Sequence, residues 1–232
     1  MHIRFSSFPA LTCALLVASV ATSPAALLVV ENYSFEMDVA PSPGVVQSVP
    51  NGWLSCNQTG GADIGSQNPS GAMFSSINPL AAPAEGNQFV YINTFPENPD
   101  GISGIFQPIT DLQPNTTYTL TVAIGSRLDR VNTAGTISLV EGFDPSGTIL
   151  ATGGGIPDTP GTWEDYSISF TTGDSVDGFL TIVLSTPAAG TIQAAFDNVR
   201  LEAVAVPEPT TVALLAAGCV AFLVFHRRKR SV

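Results

Sequence analysis

Between residues 116 and 127 apolar and hydroxyl-bearing side chains alternate. Tyr118, Leu120, Val122 and Ile124 take one parity; Thr117, Thr119, Thr121 and Ala123 take the other. A period of two puts each set on its own face of an extended chain, so this stretch is a strand with one face in a core and one nearer solvent. Residues 163–171 repeat the pattern with Tyr166, Ile168 and Phe170. The apolar face of such a sheet needs a cover, and what the chain offers is more short strands: 28–30, 53–54, 88–92, 103–110, 136–140, 148–151, 179–185 and 192–201, bounded by Gly, Pro, Asn, Asp and Ser. The runs 136–140 and 148–151 flank Asp144-Pro145-Ser146-Gly147, the chemistry of a hairpin turn. Residues 42–51, 58–83 and 153–161 are expected to be mostly loop. The pattern predicts an all-β, two-sheet antiparallel sandwich.

Both ends depart from this pattern. Residues 1–26 carry His2 and Arg4 before an apolar run at 11–20, which predicts a secretory signal peptide cleaved after Ala21, Ala25 or Ala26. At the other end Pro207-Glu208-Pro209 precedes sixteen uncharged residues, 210–225, and then His226-Arg227-Arg228-Lys229-Arg230. An apolar helix of that length spans about 24 Å at 1.5 Å per residue, slightly short of a hydrocarbon core of about 30 Å. Prolines fit before a helix start, Glu208 suits its positive end, and the cationic cluster holds the C-terminus on the cytoplasmic side. The expected organisation is a signal peptide (1–26), a sandwich (27–203) and a segment of linker, transmembrane helix and basic tail (204–232).

From residue 27 to 205 there are eighteen Asp and Glu against Arg127, Arg130 and Arg200 with no Lys, a net charge of about −15. That surface repels nucleic-acid phosphates and attracts divalent cations. Cys56 is the one cysteine in the sandwich, so no disulfide can form within it. Both histidines, His2 and His226, lie outside it, which removes a His-based triad or zinc site. No glycine-rich phosphate loop joins a strand to a helix. Glycosidase chemistry needs a carboxyl pair; Glu85, Glu97, Glu164 and Asp165 supply acids, but adjacent Glu164 and Asp165 point to opposite faces of a strand. The expectation is a domain without catalysis.

The C-terminal segment resembles the PEP-CTERM sorting signal of exported Gram-negative bacterial proteins. Pro207, Glu208 and Pro209, the apolar run, and Arg227, Arg228, Lys229 and Arg230 supply its three parts in order. The resemblance implies Sec export, a transient inner-membrane anchor, an exosortase that removes the tail, and release to the cell surface or extracellular matrix.

The sandwich resembles the galactose-binding-like jelly roll of carbohydrate-binding modules. The resemblance rests on Asn32-x-Ser34-Phe35-Glu36, Asn51-Gly52-Trp53, Gln107, the 112–120 run, Trp163 to Thr171, and Phe196-Asp197-Asn198-Val199-x-Leu201. It implies a structural calcium between the first and last strands, with Glu36 and Asp197 as side-chain ligands and carbonyls completing the shell. On a regular last strand Asp197 shares the core side with Val199 and Leu201, where a carboxylate is costly unless paired or metal-bound. A bulge that turns it outward, or hydrogen bonds to a turn, are the alternatives. Trp53, Phe95 and Trp163 are candidates for stacking on sugar rings, although the two Trp positions also suit a core. Three functions follow: a non-catalytic surface or matrix protein, a carbohydrate-binding module for exopolysaccharide or other glycan, and a secreted hydrolase.

Overall fold

The alternating stretch forms strand β7 (Thr116–Gly125), and residues 163–171 form its antiparallel neighbour β10 (Trp163–Thr171). Their register sets Tyr166 opposite Val122, Ile168 opposite Leu120 and Phe170 opposite Tyr118, so the inward parities coincide. Outward, the hydroxyls of Thr117 and Thr171, Thr119 and Ser169, and Thr121 and Ser167 pair at 2.8, 3.0 and 2.7 Å. Each such rung contributes about 0.2–1 kcal/mol. The computed structural model describes residues 24–56, 63–77, 79–94, 102–187, 192–206 and 218–219. The signal peptide, the sorting motif at Pro207 to Pro209, the basic cluster and Phe95 lie outside the described residues. Among the described residues no helix is long and apolar enough to cross a membrane.

The remaining strands are β1 (Ala26–Leu28), β2 (Gly44–Val46), β3 (Leu54–Ser55), β4 (Asp63–Asn68), β5 (Phe89–Thr94), β6 (Ile102–Asp111), β8 (Gly135–Glu141), β9 (Thr148–Gly155), β11 (Phe179–Pro187) and β12 (Ile192–Ala205). They form two antiparallel sheets, as the alternation predicts. One runs β10-β7-β12-β5-β4-β2 with β1 also on β12; the other runs β3-β6-β11-β8-β9. Between them lie Val90, Ile92, Leu120, Val122 and Ile124 from the first, and Ile105, Ile137, Leu139, Leu180, Ile182 and Leu184 from the second. Burying an aliphatic side chain of this size contributes about 1.5–3 kcal/mol.

The boundaries of β1, β2, β4, β9 and β12 differ from expectation; β1 spans Ala26–Leu28 where 28–30 is expected. Strands β2 and β4 fall where loop is expected, because β4 (Asp-Ile-Gly-Ser-Gln-Asn) turns Ile64 alone to the main core and carries no apolar alternation. β9 runs to Gly155 because the sheet edges close there: a Cβ on Gly155 would lie 2.3 Å from the Tyr166 ring of β10. β6 matches the expected strand to within a residue at each end and keeps Pro108 inside it, beside the register shift at Leu180/Thr181, where a missing N–H is tolerated. β12 pairs as far as Ala205 opposite Thr116, so the linker starts later than residue 204.

A second apolar cluster lies on the outer face of the larger sheet. Phe89, Tyr91, Ala123, Trp163 and Ala195 of the strands meet Phe74, Leu80 and Ala84 of residues 69–77 and 79–88, which form a roof. Phe74 stacks on Trp163 at 4.7 Å and meets Phe89 edge-on at 5.3 Å.

Candidate functional site

Strand β12 is not regular, and that decides where Asp197 points. Ala194 and Phe196 face the main core, and so do Val199 and Leu201, which differ from them in parity. The register shifts between Asp197 and Arg200, and Asn198 has φ 45°. Asp197 therefore lies on the outer side, opposite Ala123, and not on the core side with Val199 and Leu201. Both alternatives are found together: a bulge turns Asp197 outward, and its oxygens accept backbone hydrogen bonds from Glu85 and Asn198. Asp197 is nevertheless 0% exposed, because the roof covers it. Its Oδ2 accepts the Glu85 N–H at 2.8 Å and its Oδ1 the Asn198 N–H at 2.7 Å. The Asn198 side chain donates to the Pro83 carbonyl at 2.7 Å, tying the bulge to the roof.

Glu36 comes from the N-terminal strap. Asn32, with φ 49°, accepts the Met37 N–H and donates to Asp38 and to the Asn51 carbonyl, folding residues 32–38 into a tight loop. Gln107 holds the strap to the smaller sheet by bonds to both backbone groups of Glu31. Glu36 Oε1 then accepts the N–H groups of Asn87 and Gln88, each at 2.6 Å. Gly86, immediately before these donors, has φ 73°, and a Cβ there would come within 2.4 Å of Glu36 Oε1. Two carboxylates thus grip the same short backbone, Asp197 at Glu85 and Glu36 at Asn87 and Gln88. The Tyr33 hydroxyl donates to the Glu85 carboxylate at 3.0 Å.

The electrostatics of this cluster are one-signed. Burial drives the Asp197 carboxyl well above the usual carboxylate range, against the two backbone N–H groups that favour its charge; Glu36 and Glu85 push it further up. The ion pairs among the described residues are Arg127–Asp129 and Arg200–Asp165, neither of them here. The arrangement can hold a proton or a hard cation. Among the described residues no three His, Cys, Asp or Glu side chains group to bind a metal, so a cation would draw its other ligands from backbone carbonyls. Carboxylate oxygens are the donor type that calcium takes, and among the described residues no ion pair engages Glu36 or Asp197.

Both tryptophan candidates for sugar stacking are core residues. Trp53, 5% exposed, packs on Phe35 at 5.6 Å with its indole N–H toward the Asn32 carbonyl. Trp163, 4% exposed, lies beneath Phe74. Neither presents a ring face to a ligand, because each fills the space between a strand and its covering loop. A polar chain that the pattern of the sequence does not mark crosses the outer face instead. Arg127 binds the Asp129 carboxylate through Nε and Nη2 at 2.9 and 2.8 Å, and the Gln67 and Gln193 carbonyl oxygens through Nη1 at 3.0 and 2.6 Å. Gln193 donates to Asn93, which donates to Asp63, each at 2.8 Å. The Tyr91 hydroxyl, 3.2 Å from Asp63, is pushed up to about 12 by burial first and by Asp63 second. Only the scarcity of arginine in so acidic a stretch could have drawn notice to Arg127.

An apolar groove of about 430 Å³ runs beside the cluster, lined by Leu27, Leu28, Val29, Val30 and Val199, with Tyr33, Glu85 and Arg200 at its polar edge.

Residues 26–202 match the HpiC1-like family, described as HpiC1 cyclase. Residues 205–230 match the PEP-CTERM protein-sorting motif. No curated protein matches the chain. Among solved structures, a Stig cyclase from Fischerella sp. TAU in complex with (3Z)-3-(1-methyl-2-pyrrolidinylidene)-3H-indole is 23% identical over 79% of this chain and 100% of its own, at a TM-score of 0.66. A cyclase from the same organism in complex with 4-(1H-indol-3-yl)butan-2-one is 24% identical over 79% of this chain and 100% of its own, at 0.62. The arabinose-bound MgGH51 α-L-arabinofuranosidase is 13% identical over 77% of this chain and 26% of its own, at 0.52. At these identities the likeness is one of fold. The family description is that of a cyclase, against the expectation of a domain without catalysis.

Proposed function

This chain belongs to the HpiC1-like family, whose description is that of a cyclase; we propose that this member is an exported surface or extracellular-matrix protein whose sandwich (27–203) is non-catalytic. A signal peptide (1–26) sends it through the Sec machinery, and the segment 204–232 delivers it to an exosortase. The observation that carries this reading is the PEP-CTERM motif at 205–230. Pro207, Glu208 and Pro209 are what the exosortase reads. Residues 210–225 hold the chain transiently in the inner membrane, and Arg227, Arg228, Lys229 and Arg230 keep its end in the cytoplasm. The last hydrogen bond of the sandwich runs from the Val206 N–H to the Asn115 carbonyl, so a cut beyond it removes no strand pairing. Deleting the exosortase of the native host is expected to leave the protein in the inner-membrane fraction; unchanged delivery to the surface would refute the reading.

Asp197 and Glu36 would hold a structural calcium ion, which when bound supplies the positive charge that the buried Asp197 and its acidic neighbours lack. Their own work is to anchor residues 85–88 and to join the strap to β12. The support is the convergence of two carboxylates on one backbone segment with no cationic side chain among them.

One observation favours a second reading, acid-assisted cyclisation of an apolar substrate: the groove lined by Leu27, Val29 and Val30 has Glu85 and Tyr33 on its wall. The Tyr33 hydroxyl is raised above its ordinary range chiefly by its bond to Glu85. Titrating the protein with 4-(1H-indol-3-yl)butan-2-one discriminates. The non-catalytic reading expects no saturable binding, whereas binding abolished by Glu85→Gln would favour the second.

A further inference from the structure

The sandwich runs straight into the sorting signal. The Val206 N–H is bonded to the Asn115 carbonyl at 2.6 Å, and Pro207 of the motif is the next residue. An enzyme that grips Pro207 to Pro209 has no spacer to stand off on, since three residues reach about 10 Å at most. It must meet the end of the sandwich from which the chain leaves. There β6, β8 and β10 end beside β12, while β7, β9 and β11 begin. That end carries a stacked pair of phenylalanines, Phe143 from the hairpin between β8 and β9 and Phe179 at the start of β11. We infer that this aromatic pair is a docking surface for the exosortase, a second recognition element beside the motif itself.

The pair is presented on a fixed support. Its ring centroids are 4.3 Å apart, and Phe143 is 68% exposed. The Gly142 N–H donates to the Phe179 carbonyl at 2.7 Å, and the Thr181 hydroxyl donates to the Gly142 carbonyl at 2.5 Å. The Ser146 N–H and hydroxyl close the hairpin on Asp144 at 2.8 and 2.6 Å. An aromatic ring already held in place loses little freedom when a partner covers it, which suits an interface anchor. The reach also fits. Phe179 lies opposite Asp111, and Asn115, which holds Val206, is four residues further on, about 14 Å at most. An interface of about 800 Å² per partner is roughly 30 Å across and covers both. The rim sets the sign of the partner. Asp111, Glu141, Asp144, Asp174 and Asp177 belong to the same turns, 111–116, 141–148 and 172–179, which contain no Lys or Arg. Carboxylates in that number are repelled by an anionic lipid surface and complement an apolar slot with a cationic rim on a protein.

This surface rests on the sorting reading, because the place of the motif is what brings the enzyme to this end. The test is a pulse-chase of the full chain in an exosortase-bearing host, with loss of the tail followed by intact mass. Phe143→Ser should slow that loss about tenfold, the value of one aromatic side chain left uncovered at the contact. Phe143→Trp should keep the wild-type rate, and Asp174→Lys combined with Asp177→Lys should slow it as Phe143→Ser does. Because Phe143 is mostly exposed, an unchanged melting temperature separates lost docking from lost folding. Tail loss from Phe143→Ser or from the paired Lys variant at the wild-type rate would overturn the inference. So would flotation of the tail-free product with phosphatidylethanolamine–phosphatidylglycerol vesicles that Phe143→Ser abolishes, which would give the pair to the bilayer. A wild type that keeps its tail beside an active exosortase sinks the sorting reading and this surface with it. A wild type that loses its tail no faster than Phe143→Ser sinks the surface alone.

Discussion

Replacing Asp197 by Asn tests the cation site where the structure makes the cost of charge greatest. Asp197 is fully buried, both of its oxygens accept backbone N–H groups, and its neighbours Glu36 and Glu85 share its sign. Without a cation, its folded pKa stands above the unfolded value of about 3.9. The folded state then holds the proton more tightly. Its contribution to stability is full below the unfolded pKa and is lost as pH rises from about 4 through the folded pKa. Calcium reverses that slope, since it binds the ionised pair. At an ion concentration a hundredfold above its dissociation constant the gain is about 2.7 kcal/mol. For a domain of this size that is roughly 5–11 °C in melting temperature. Asp197→Asn keeps the shape and removes the charge, but sets an amide N–H against one of the two backbone donors, at a cost of about 1–3 kcal/mol. Scanning calorimetry at pH 7 in calcium and in chelator should show the upward shift in the wild type and none in Asp197→Asn. In chelator, the variant should also lose the wild type's decline with rising pH. Equal melting of the wild type in calcium and chelator, or a shift that survives in the variant, would refute the reasoning.

Arg127→Met should destabilise the sandwich by about 3 kcal/mol in urea unfolding, the low end for a broken buried pair, because its side chain is 1% exposed but that of Asp129 is 32%. Arg127→Lys should recover little, since an ammonium cannot reproduce the fork that engages Asp129, Gln67 and Gln193 together. The Cys56 thiol is pushed up to about 12 by burial, so peptide mapping after iodoacetamide at pH 8 should find Cys56 unlabelled in the native protein and labelled in denaturant. Trp163→Ala should cost about 3–5 kcal/mol in urea unfolding through loss of the Phe74 and Phe89 contacts.

The sheets were legible where alternation was strong. Residues 116–125 and 163–171 read as strands because hydroxyl and apolar side chains alternate, and they pair in that register. β4 was not legible, since its outer face carries Asp63, Gly65 and Gln67 and its inner face offers Ile64 alone to the main core. The parity of β12 could not be read past Phe196, because a bulge leaves no mark in composition; Asn198, a residue that tolerates positive φ, was the available hint. Glu36 and Asp197 were paired by resemblance, and the structure brings them to one backbone segment by a geometry that a regular strand does not give. Trp53 and Trp163 show the opposite limit: a tryptophan's place in the sequence does not tell a platform from a core, and only the loops that cover them decide it. The resemblance to a galactose-binding-like jelly roll captured the sandwich but not the cyclase family to which the domain belongs, because two sheets of this kind carry many functions.

The central claim is that the chain is cut at its C-terminal signal on the way to the surface. Intact-mass measurement of the protein recovered from an exosortase-bearing host tests it most directly. The expected mass is that of a chain beginning near residue 27 and ending near Val206, with the tail restored by Glu208→Ala. A wild-type mass that retains residues 210–230 beside an active exosortase, or a truncation indifferent to Glu208→Ala, would contradict it.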